Sequence, residues 1–102
     1  MTITDIKVRK IFTAGKLKGI VSITIDNVFA VHDIKVVQGD ERLFVAMPSR
    51  KDDNGMYRDI VHPINPEARR EIESHILDAY KIEVERQEAE AEAEADGDSY
   101  EN

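Results

Sequence analysis

The sequence predicts an α+β fold: an antiparallel β-sheet meander of four to five strands followed by a C-terminal helix. Three observations predict it. A chain of 102 residues has room for one domain. Its first half holds four β-rich runs separated by only a few turn residues, too short for the crossovers of parallel strands. Its second half switches to apolar residues at three- and four-residue spacing.

The elements follow in order. In residues 3–12, Ile6 and Val8 alternate with Lys7 and Arg9, a half-buried strand with a basic outer face. Thr13 to Lys16 turn the chain. Residues 17–25 put Leu17, Val21, Ile23 and Ile25 on one face and Lys18, Ser22 and Thr24 on the other. Asp26-Asn27 reads as a tight hairpin turn, because both residues tolerate positive φ. Residues 28–37 form a third strand, in which His32 and Asp33 are expected on opposite faces. Residues 43–47 are a short apolar strand stopped by Pro48. Ser49 to Gly55 is expected as a polar loop, and Met56 to Val61 as a fifth short strand.

Asn65, Pro66 and Glu67 then give an N-cap, a preferred first helical residue and a first-turn acid. Ala68, Ile72, Ile76, Ala79 and Tyr80 make the stripe that a helix would bury, with Arg69 and Arg70 off it. The helix is expected to end near Glu85. That divides the chain into a domain over 1–85 and an acidic low-complexity tail over 86–102, disordered or a frayed helix, with order lost by Gly97.

Composition excludes several function classes. Without cysteine there are no disulfides, thiolate metal sites or thiol nucleophiles. His32, His62 and His75 lack metal-ligand spacing, so no metal is expected. Ser22 and Ser49 sit in no nucleophile motif, and the five glycines form no phosphate-cradling loop. No catalytic residue, cofactor or small-molecule substrate is therefore expected. A deep polar pocket joining Asp33, Asp59 and His62 would reverse that expectation. No apolar run reaches membrane-spanning length and no secretory signal pattern opens the chain, so the expected location is cytoplasmic.

The net charge of −7 is unevenly spread. Residues 1–82 carry 13 Lys/Arg against 12 Asp/Glu, whereas residues 83–102 carry one Arg against nine Asp/Glu. The nearly neutral domain can therefore present a local basic patch. Arg50 and Lys51 on the expected loop, Arg58 on the next strand, and Arg69 and Arg70 in the first turns of the helix are its candidates. The helix start adds unpaired N–H groups that favour phosphate oxygens. The plainer reading is a solvated surface of local pairs, Arg50/Lys51 with Asp52/Asp53 and Arg69/Arg70 with Glu73.

Several segments resemble the stage V sporulation protein G (SpoVG) family, also called the septation protein. They are TDIKVRKI, VSITIDNVFAVHDIKV and, most specifically, FVAMPSRKDDNGMYRDIVHPIN from Phe44 to Asn65. The resemblance spans about residues 1–82. It implies a small α+β domain that pairs into a homodimer through its β-sheets. It also implies a bacterial cytoplasmic regulator linked to septum formation, sporulation and gene expression. Some members bind DNA and some RNA, and by position the basic loop and helix start correspond to Arg50, Lys51, Arg58, Arg69 and Arg70. Asp52-Asp53, directly after Arg50-Lys51, depart from a purely basic loop. The alternative is a protein-interaction adaptor in septation with no nucleic acid partner.

Overall fold

The computed structural model describes the backbone of residues 1–101 and the side chains of residues 1–93. Four strands form one antiparallel sheet in the order β1-β2-β3-β4: β1 (Ile3–Ile11), β2 (Leu17–Ile25), β3 (Phe29–Gln38) and β4 (Leu43–Ala46). The helix α1 (Pro66–Glu101) follows, so the α+β meander-plus-helix reading holds.

Turn chemistry sets the register. Asp26 and Asn27 both have positive φ, 52° and 57°, which matches the twist of the strands they join. The Val28 N–H donates to the Ile25 carbonyl at 3.0 Å, closing the turn. The Asp26 carboxylate also accepts from the Thr2 N–H at 2.9 Å, which ties the start of β1 to this corner.

One face of the sheet is the core. Val21 and Ile23 of β2, Ile34 and Val36 of β3, Val45 and Met47 pack on Ile72, Ile76 and Tyr80 of α1. The helix is held at its start by Asn65, whose side-chain oxygen accepts the Ala68 N–H at 2.8 Å. Gly19 lets the helix settle close. A Cβ there would lie 3.2 Å from the Tyr80 ring and from the Lys10 carbonyl.

Three expectations need correction. Ser49 to Gly55 is not all loop: β5 (Ser49–Lys51) pairs antiparallel with β6 (Tyr57–Asp59). The fifth strand thus leaves the meander and forms a separate two-stranded ribbon. His32 and Asp33 do not alternate across the sheet. Both oppose Ser22 in a β-bulge, with Asp33 at φ 61°, because the register slips between Val21 and Ile23. The helix, expected to end near Glu85 with a frayed helical or disordered tail beyond, continues to Glu101. Alanine and glutamate favour helix there, and Arg86 bridges Glu83 and Glu90 one turn to each side. The loss of order expected by Gly97 falls where side chains lie outside the described residues.

Candidate nucleic-acid interface

The β5–β6 ribbon carries the first three basic candidates. Its register sets Arg50 directly across from Arg58, and Lys51 directly across from Tyr57. Directly opposed residues share a face and neighbours alternate, so the arginines occupy one face, and Lys51 with Tyr57 the other. All six ribbon residues are exposed.

Asp52 builds the turn between the two strands. One of its oxygens accepts the Asn54 and Met56 N–H groups at 2.9 and 3.0 Å. The other accepts from Arg58 Nε at 2.7 Å. Gly55 completes the turn at φ 81°, a conformation that suits glycine. The Arg58 guanidinium, and then the Met56 N–H, hold the Asp52 carboxyl below its ordinary range.

These contacts sort the candidates. Arg58 is engaged by Asp52 across the turn. Arg50 and Lys51 have no ion pair among the described residues, so the expected pairing with Asp52 does not form. In a strand, consecutive side chains diverge, and Asp52 turns to the opposite strand instead. Arg50, Lys51, Asp52, Asp53, Arg58, Asp59 and Ile60 line a shallow groove of about 330 Å³.

On α1, Arg69 sits 3.4 Å from Glu73 one turn on, and Arg70 is exposed without an ion pair among the described residues. Neither arginine lines the groove of the ribbon. The candidates therefore fall into a ribbon group and a helix group.

The chain matches the SpoVG family model over residues 1–82. It belongs to the SpoVG family. A relative from Agathobacter rectalis is 58% identical over 85 residues, covering 83% of this chain and 98% of its own. One from Clostridium beijerinckii is 59% identical over 81 residues, covering 79% of this chain and 89% of its own. One from Heliobacterium modesticaldum is 58% identical over 81 residues, covering 79% and 91%. Each of these SpoVG relatives bears the name "Putative septation protein SpoVG". The family match ends at residue 82, before the strongly acidic part of α1.

Sequence reasoning gave no binding role to Tyr57 and no structural role to Asp52. Tyr57 and His62 line a second open groove with Arg58 and Asp59, of about 480 Å³. Asp52, expected to offset part of the basic patch, does pair with Arg58 and also organises the turn. Its signal was an Asx residue two positions before Asn54-Gly55, a pattern in which the carboxylate caps the backbone N–H groups that follow. Asp59 and His62 do share that groove, but Asp33 does not line it. It lines a different groove with Pro48 and Ile60.

A broad apolar surface lies beside the ribbon. Phe29 (70% exposed) and Ile60 (68%) flank a groove of about 500 Å³ that Val31, Pro48 and Val61 also line. It follows the outer edge of β3. β4 pairs only with Lys35 to Gln38, so among the described residues no strand covers that edge from Phe29 to Ile34.

Proposed function

We propose that this chain is a homodimeric, cytoplasmic bacterial regulator that binds nucleic acid through its β5–β6 ribbon and serves septum formation and sporulation. It is a binding protein, not an enzyme. One observation carries the reading: Arg50 faces Arg58 directly across an exposed two-stranded ribbon. Like charges in that position destabilise a strand pair, and only one of the two has a carboxylate partner among the described residues. A phosphate would relieve the repulsion and use both guanidinium groups. Arg50 and Lys51 are the main phosphate contacts, Arg58 a positioned support, and Arg69 and Arg70 a second group on α1. DNA is the first candidate target and RNA the second. The septation link comes from the relatives' name.

The homodimer reading is supported by the uncovered β3 edge and its apolar flank. A second copy laid there would pair the free backbone groups and cover Phe29 and Ile60. Two ribbons in one assembly would raise avidity.

Filter binding against salt tests the nucleic acid reading. Phosphate contacts release counterions, so affinity should fall linearly with salt on logarithmic axes. Replacing Arg50 and Lys51 together by Glu should abolish binding while thermal unfolding stays unchanged. Absence of binding at low salt would sink the proposal.

The same apolar edge also supports a second reading, an adaptor that takes a strand from another protein. Partners retained in a pull-down after nuclease treatment would favour it.

A further inference from the structure

The groove formed by Tyr57, Arg58, Asp59 and His62 is the feature that phosphate binding leaves unexplained. Tyr57 is 72% exposed on a three-residue strand and has no hydrogen-bond partner for its hydroxyl among the described residues. A large aromatic ring so placed adds nothing to the core. Arg58 beside it is paired with Asp52 at 2.7 Å, and its side chain leaves the strand on the face opposite Tyr57 and Asp59. His62 Nδ1 lies 3.1 Å from the Pro63 carbonyl. A carbonyl only accepts, so Nδ1 is the donor in this contact. The groove thus offers two rings, Tyr57 and His62, with Asp59 on the same strand face as Tyr57.

Asp59 identifies what those rings are for. It is exposed and without a side-chain partner among the described residues. A carboxylate repels phosphate, so in a surface meant only for a duplex backbone it would weaken binding. Against a nucleobase it has a use, because an ionised carboxylate accepts two hydrogen bonds. Guanine presents adjacent N1–H and N2–H donors on its pairing edge, which match the two oxygens. Uracil and thymine present one N–H between two carbonyl oxygens, which the carboxylate repels. That edge is open only when the base is unpaired, and its ring face is free for stacking only when it is unstacked.

We infer that the Tyr57–Arg58–Asp59–His62 groove takes one unstacked guanine, so the ligand class is single-stranded nucleic acid, with Lys51 and Arg50 holding the flanking phosphates. This rests on the nucleic acid reading above and narrows it. Lys51 stands directly across from Tyr57, so a phosphate on Lys51 would adjoin the base on the ring. Base-on-aromatic stacking is sequence-tolerant, and the carboxylate supplies the preference.

Fluorescence anisotropy at fixed low salt tests the inference with three probes: a short oligothymidylate, the same strand with one central guanine, and that strand annealed to its complement. The guanine strand should bind at least about fivefold tighter than oligothymidylate, the low end for a bidentate base contact. It should also bind tighter than the duplex. Tyr57→Ala should weaken single-strand binding about fivefold or more, and Tyr57→Phe, which keeps the ring, should rescue it. Asp59→Asn should erase the preference for guanine without weakening oligothymidylate binding, a pattern that misfolding of the ribbon would not give. Duplex binding as tight as the single strand, or Tyr57→Ala without effect while Arg50 and Lys51 reversal abolishes binding, would overturn the groove and leave the phosphate contacts standing. No binding to any probe would overturn both.

Discussion

At the scale of single residues, Asp52 decides how the ribbon presents its charges. Its carboxylate accepts two backbone N–H groups and one guanidinium, and each contact favours the ionised form. The folded carboxyl therefore titrates below the ordinary value of 3.8. A lowered value stabilises the turn at every pH above that ordinary value, and the contribution is lost as pH falls through the folded value. An acid titration followed by amide chemical shifts should leave Asn54 and Met56 unmoved down to about pH 4 and then shift both together. Shifts that begin at higher pH would mean the contacts do not persist in solution. Asp52→Ala should speed amide exchange at Asn54 and Met56 and release Arg58. The sequence places Asp52 beside Arg50 and Lys51, and adjacency suggests a local ion pair. The strand geometry of Ser49 to Lys51 sends those side chains elsewhere, and the true partner lies six residues on, across a turn. Partners across a turn are legible only once the pairing register is known.

Elements show the complementary case, where local pattern carried most of the information. The stripe Ala68, Ile72, Ile76, Ala79 and Tyr80 is the face α1 turns to the sheet, with Ile72, Ile76 and Tyr80 in the core. Asn65 caps it as its side chain predicts. β5 was not legible, because Ser-Arg-Lys has no apolar alternation and three residues are too few to show a period. The far end of α1 is less legible for a different reason. Stacked glutamates oppose helix there, while Arg86, placed between Glu83 and Glu90, offsets part of that repulsion. Its guanidinium holds the Glu83 carboxyl below its usual range, although pairs this exposed contribute little to stability. Replacing Arg86 by Glu should lower the helical circular dichroism signal, with partial recovery in high salt, where repulsion is screened. The same element sets a steric test. Gly19→Ala puts a methyl group 3.2 Å from the Tyr80 ring and from the Lys10 carbonyl. Overpacking of that kind costs about 1–3 kcal/mol, so the thermal midpoint should fall. Removing the tyrosine side chain in the same variant should recover part of the methyl's effect, because it clears one of the two contacts.

For the molecule as a whole, one surface carries a polar ladder and another exposes large apolar side chains. On the sheet face away from α1, Ser22 lies 2.9 Å from His32 Nδ1 and accepts from Arg9 Nε at 3.3 Å, so three strands are joined by polar contacts around a buried hydroxyl. Around the open edge of β3, Phe29 and Ile60 are large exposed apolar side chains, with His32 and Asp33 in the same groove. Scattered apolar residues need no explanation, but these accompany unpaired strand backbone, the combination that invites another strand. The occupant proposed is a second copy, which predicts that self-association and nucleic acid affinity are linked. Phe29→Gln should leave folding intact, since the ring is exposed, and should weaken the dimer in sedimentation equilibrium. Apparent affinity for a strand long enough to reach both ribbons should fall with it, while affinity for a strand too short to bridge them should not. Equal losses on both strands would mean that Phe29 acts on the ribbon itself. A wild-type chain that sediments as a monomer would remove the two-ribbon arrangement, and each ribbon would have to account for binding alone.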